Sequence, residues 1–279
     1  MLRSKFYSLG HRRFNIFALL LAAIFFITGC SDAETTASYI TTETSATTAT
    51  TVQTSATTSQ PTYPEPTKKV ALTFDDGPHK TYTVDIVNEL EKHGFHATFF
   101  VVGNRVDGTK YNGGSAAAYL LEKGNEIAIH GYTHTLYYNK CTDEEYDAEI
   151  DGTLEAIKTI SAEYDVKLMR PIGGSITDAR VEASPYSTVL WSVDSEDWKH
   201  KYSSGDNKNK KAAKVELIVG NIMSNVEDGG IILMHDIYES TYDAVKVLLP
   251  LLRAEGYEVV TVSELLGEPQ PGVKYRKRP

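Results

Sequence analysis

From Lys69 onward the chain alternates between short β-rich runs and helical ones, and this alternation restricts the fold more than any other feature. Apolar or β-branched runs occupy residues 70–74, 97–102, 126–130, 166–170, 188–193, 230–235 and 258–262. Amphipathic stretches lie between most of them, including residues 83–94, 143–160 and 242–256, where apolar side chains recur at helical spacing. A parallel strand pair needs a crossover long enough to hold a helix, so the alternation predicts a mainly parallel sheet. Seven such strands predict an α/β fold, a distorted (β/α)7-type barrel in a single domain. Residues 175–187 show little apolar period where a full helix is due, so the barrel is expected to be imperfect there.

What precedes this domain is of another kind. Arg12 and Arg13 lead into the apolar run 16–27, too short for the roughly 20 residues a spanning helix needs. A basic segment, a short apolar segment and small residues make the layout of a secretory signal peptide. Residues 31–67 hold 14 threonines and almost no large apolar side chain. Such a stretch cannot bury enough surface to offset its ordering entropy, and it reads as a disordered tether. The expected organisation is a signal over 1–29, a tether over 30–67, the folded domain over 68–268 and a loose basic tail over 269–279. Loss of the signal, with its four basic residues and no acid, would take the net charge from −9 to −13. Phosphate backbones would repel so acidic a chain, which excludes nucleic acid as a partner. Two cysteines, Cys30 and Cys141, make neither a disulfide scaffold nor a cysteine zinc site.

Parallel barrels build their sites at the carboxyl ends of the strands. Those ends carry Asp75-Asp76, His130 with His134, Arg170, Asp194 with Asp197-Trp198, and His235-Asp236. The two histidines are four residues apart, but Gly131 and Thr133 between them are poor helix formers and put them on a loop. The zinc-protease motif would need Glu at position 131. Two imidazoles and a carboxylate leave open positions on a metal, although the pair alone reads equally as two loop histidines. Asp75-Asp76-Gly77-Pro78 is turn chemistry in its own right. Adjacent acids repel unless a cation or proton lies between them, which also suits one metal ligand beside one base.

Five segments taken in order resemble the motifs of the polysaccharide deacetylases, carbohydrate esterase family 4. They are Thr73-Phe74-Asp75-Asp76-Gly77-Pro78, His130-Gly131-Tyr132-Thr133-His134, Arg170-Pro171-Ile172-Gly173-Gly174, Asp194-Ser195-Glu196-Asp197-Trp198 and Leu233-Met234-His235-Asp236. The resemblance implies a distorted barrel of fewer than eight repeats. It also implies Asp75 as general base, Asp76, His130 and His134 as ligands of one divalent metal, and His235 as general acid. Arg170 would orient Asp75, and Asp197 would partner His235. The backbone N–H of Gly173 would bind the oxyanion, while Trp198 and Leu233 would line the acetyl or sugar pocket. Ile172 stands where the family usually has proline, and Gly173 where some members have an aromatic residue. The end of the signal, Ile27-Thr28-Gly29-Cys30, resembles a bacterial lipobox and makes Cys30 a lipidation site.

These features lead to an expected reaction: removal of N-acetyl groups from N-acetylglucosamine in peptidoglycan by a metal-activated water. Zinc is the expected ion, with cobalt, nickel or manganese also suited to the donor set. The enzyme is expected to be a monomer, lipid-anchored outside the bacterial cell membrane. An O-acetyl xylan esterase or a chitooligosaccharide deacetylase is the alternative substrate reading, and a non-catalytic glycan-binding lipoprotein the alternative of another class.

Overall fold

The computed structural model describes residues 63–108 and 113–279. The expected signal, Cys30 and most of the tether lie outside them. The first strand, β1 (Lys68–Asp75), is buried over its last six residues and carries the sheet's centre. After it come α1 (Tyr82–Lys92), β2 (Thr98–Val101), α2 (Gly103–Val106), α3 (Gly114–Glu122), β3 (Glu126–Ile129) and α4 (Asp143–Lys158). Next are β4 (Leu168–Met169), α5 (Asp178–Ala183), β5 (Ser187–Val189), β6 (Val193–Asp194) and α6 (Lys208–Asn225). The chain ends with β7 (Ile231–His235), α7 (Glu239–Ala254), β8 (Tyr257–Val260), α8 (Val262–Leu266) and β9 (Lys274–Tyr275). Among the described residues, no helix is long and apolar enough to cross a membrane.

The strands pair in parallel in the order β6-β7-β1-β2-β3-β4-β5-β9, with β8 alongside the first half of β1. Ala71, Phe100, Ala128, Leu168, Val189, Ile231 and Val260, one from each of seven strands, pack into one buried cluster. Val262 and Leu265 of α8 join it. The cluster is the interior of a curled sheet, as the strand–helix alternation predicts.

The imperfection lies beside the expected place. Residues 175–187 do form a helix, α5, of six residues capped by Thr177. The predicted strand over 188–193 is instead two strands: β6 at one end of the sheet path and β5 next to β9 at the other. The intervening Leu190–Ser192 carry the chain from β9, through the Leu190 amide to Tyr275, to β7, through the Ser192 amide to Ile231. A single apolar run thus supplies one edge strand, β6, and the strand β5 that β9 covers at the other end, a division that hydrophobic pattern does not encode.

The tail also departs from expectation. Residues 269–279 are tied to the sheet by β9 pairing with β5 and by the Arg278 amide donating to Gly229. Lys274, Lys277 and Arg278 pair with Asp178, Glu227 and Asp228. The basic residues that suggested a solvated end find acidic partners on the domain.

Candidate active site

Parallel register brings the strand ends level with one another, and the polar residues there meet. Asp75 lies opposite His235 of β7 and Phe100 of β2. Asp76 follows directly, with φ at +72°, in the left-handed region that a non-glycine residue adopts only under strain. His134 sits there as well, with φ at +59°. Strain of this kind is of order 1–3 kcal/mol per residue and has to be held by the surroundings.

The Nε2 atom of His134 is 2.8 Å, and that of His130 3.4 Å, from Oδ1 of Asp76. Their three donor atoms lie within 4.8 Å of one another. Nδ1 of His130 is 2.8 Å from the Arg170 carbonyl oxygen. A carbonyl only accepts, so Nδ1 carries a proton and Nε2 is the ring atom that meets Asp76 and is available to a metal ion. Burial opposes charge on Asp76, but hydrogen bonds from both histidines hold its carboxyl far below the usual carboxylate range. Burial likewise opposes the His130 imidazolium, and the charges of Asp75 and Asp76 outweigh it and raise its pKa. Such a negative field around two imidazoles favours a bound cation, and this donor set fits a divalent metal.

Behind this cluster, Arg170 is wholly buried. Its Nη1 donates to Oδ1 of Asp75 at 2.7 Å and to Thr73 at 2.8 Å. Nε and Nη2 donate to the carbonyls of Val189 and Leu190, and the guanidinium stacks 4.0 Å from the Phe100 ring centroid. Oδ1 of Asp75 is thereby fixed, and Oδ2 is left facing His130 at 3.6 Å.

Across the site, Nδ1 of His235 is 2.7 Å from Oδ1 of Asp197. The buried Asp197 also accepts from the amides of His235 and Trp198 and from Oγ1 of Thr241. Burial disfavours a charged His235, but its hydrogen bond to Asp197 and that carboxylate's charge prevail, pushing its pKa up to about 9. Trp198 is 46% exposed at the rim, while Leu233 is buried in β7 opposite Thr73. Gly173 lies in the turn Ile172–Gly174 at φ +59°.

A family model for polysaccharide deacetylase matches residues 62–186. The chain is 36% identical over 212 residues to a peptidoglycan-N-acetylglucosamine deacetylase of Bacillus cereus, spanning 73% of this chain and 90% of that protein. It belongs to the polysaccharide deacetylase family. It is also 38% identical to the peptidoglycan-N-acetylmuramic acid deacetylase PdaC of Bacillus subtilis, over 71% of this chain. The match spans only 38% of PdaC's own length. A family 4 acetyl xylan esterase from Clostridium thermocellum, solved with a cobalt ion, superposes with a TM-score of 0.65. It is 27% identical, and the match covers 76% of this chain and all of that one.

In this deacetylase fold one residue of the site escaped the sequence reading. Glu149 of α4 is buried, and its Oε2 accepts from the amides of Tyr132 and Thr133 at 2.7 and 2.9 Å. Its Oε1 accepts from the Thr133 hydroxyl. A Cβ on Gly131 would lie 2.9 Å from the same carboxylate, so the loop closes down on Glu149 only with glycine there. Glu149 thus holds the segment between the two histidines. The available signal was an acid on the apolar stripe of α4, next to Ile150 and in line with Thr153 and Ile157.

Proposed function

We propose that this protein is a metal-dependent hydrolase that removes N-acetyl groups from N-acetylglucosamine in peptidoglycan. The observation that carries this reading is the convergence of Asp76, His130 and His134 beside Asp75, with His235 facing them from β7. Asp76, His130 and His134 would hold one divalent ion, zinc for preference, with cobalt, nickel or manganese compatible. Such an ion, when bound, polarises the acetyl carbonyl and acidifies a water.

The remaining chemistry belongs to the chain's own residues. Asp75 takes the water proton on Oδ2, the oxygen that Arg170 leaves free. The water oxygen adds to the amide carbon, and the N–H of Gly173 stabilises the developing oxyanion. His235, with Nδ1–H engaged by Asp197, donates from Nε2 to the sugar nitrogen as the C–N bond breaks. Acetate and a free amine result. An amide nitrogen leaves poorly without that proton, so a raised His235 pKa serves this step. Trp198 and Leu233 line the pocket for acetyl and sugar.

The substrate reading is supported by relatives that are named peptidoglycan deacetylases. Lipidation at Cys30 would anchor the enzyme outside the cell membrane, with the Thr-rich segment as tether to the wall. The likeness to an acetyl xylan esterase favours O-acetyl xylan as the second reading. Acetate release by the metal-loaded chain in detergent, on peptidoglycan, chitin oligomers and acetylated xylan in parallel, tests this. Release confined to peptidoglycan, absent in Asp76→Ala, is expected; release mainly from xylan would replace the amidase by an esterase.

A further inference from the structure

The loop between His134 and α4 carries an exposed aromatic ring that the steps above do not use. Tyr137 is 51% exposed, whereas its neighbour Tyr138 is wholly buried and ties the loop to the core. The Tyr137 ring lies beside the 172–174 turn, where a Cβ on Gly173 would come within 3.2 Å of its Cε1. Glycine at 173 keeps that ring edge uncovered. The Lys140 amide donates to the Tyr137 carbonyl, and the turn sets Nζ of Lys140 5.9 Å from the ring centroid.

A second lysine–aromatic pair stands on the other side, with Lys199 5.0 Å from the ring centroid of Trp198. The two pairs differ in charge. Lys199 is neutralised by Glu196, while Lys140 makes no ion pair among the described residues. An exposed tyrosine ring offers an apolar face that the C–H face of a pyranose can cover, and an unpaired ammonium beside it favours an anion. The asymmetry matters more on a chain of net charge −9, which otherwise repels acidic polymers.

We propose that Tyr137 and Lys140 form a sugar subsite for a carboxylate-bearing N-acetylated glycan, with a pyranose ring on Tyr137 and a carboxylate at Lys140. This rests on the reading of the site as a glycan deacetylase and specifies which glycans it favours. The carboxylate can belong to an acidic sugar substituent or to an attached peptide.

The test uses the full chain in detergent on four glycans: peptide-free wall strands with free sugar carboxylates, the same strands amidated, peptide-bearing strands, and neutral chitin oligomers. Tyr137→Ala is expected to raise KM about tenfold on all four with kcat unchanged, and Tyr137→Trp to restore it. Lys140→Ala is expected to raise KM about threefold to fivefold on carboxylate-bearing strands only, with Lys140→Arg restoring it and high salt erasing the difference. An effect on peptide-free or only on peptide-bearing strands identifies the source of the carboxylate. An equal effect of Lys140→Ala on chitin and amidated strands, or none anywhere, overturns the subsite. Calorimetric binding of the same strands to Asp75→Asn, with and without Lys140→Ala, reads the subsite without turnover. Silence of the wild-type chain on every glycan would refute the deacetylase reading, and the binding comparison would still decide the subsite.

Discussion

The two halves of the site are held in opposite ways. On the β1–β3 side, Asp76, His130 and His134 aim donor atoms at one another, and two of the three sit in left-handed backbone. On the β7 side, Asp197 accepts four hydrogen bonds, two of them from His235, through its amide and through Nδ1. The first arrangement gathers three potential ligand atoms in one place, which is what a cation requires. The second saturates a carboxylate, so that the one group free to change is the proton on His235. On the proposed reading, the ligand site and the proton donor differ in which atoms the surrounding structure leaves unsatisfied.

The largest effects separate the halves by function. Asp75→Asn and His235→Ala are each expected to lower turnover by about 10²- to 10⁴-fold while metal content, measured by mass spectrometry, stays near wild type. Asp76→Ala is expected to lose metal and turnover together. Metal loss in His235→Ala would merge the two halves and defeat the comparison.

A smaller effect probes the support behind the ligand loop. Glu149→Gln keeps the shape but exchanges the acceptor facing the Tyr132 and Thr133 amides for an amide that is neutral and carries donors. Metal affinity by competition with a chelator is expected to fall about tenfold, with the pH dependence of turnover unchanged. An unaltered affinity would make Glu149 a packing residue only.

The smallest change at acidic pH is expected for Asp197→Asn, and its signature is the position of a limb. The acid form of His235 is present below about pH 9, so kcat/KM should fall as pH rises through that value. Without the Asp197 charge the pKa drops toward 6.5, and the falling limb moves to lower pH. The sign for stability agrees. A histidine whose folded pKa is raised contributes fully below 6.5 and loses that contribution as pH rises through about 9. An alkaline limb that stays in place in Asp197→Asn would assign it to another group.

Much of this was legible in the chain because strand ends are local features. An apolar run followed by Asp75-Asp76, or by His130, places chemistry at a carboxyl end before any contact is known. The capping box at Thr142 and Glu145 and the acids Asp143 and Glu144 mark the start of α4 in the same local way. Glu149 was not legible, because whether an acid on an apolar stripe is solvated or buried depends on the amides that another loop brings to it. The division of 188–193 into β5 and β6 and the docking of the tail were hidden for a related reason. Both depend on which edges of the curled sheet remain unpaired once the other strands are in place.

The alternation of strands and helices, the parallel sheet and the roster of polar residues at its carboxyl ends follow from the sequence alone, since periodicity and motif spacing act over a few residues. The tertiary structure alone decided the tautomer of His130, the free oxygen of Asp75, the saturation of Asp197 and the clamp of Glu149. Each of these is set by a hydrogen bond between groups at least 16 residues apart in the chain, and such bonds form only after packing has brought the strand ends level.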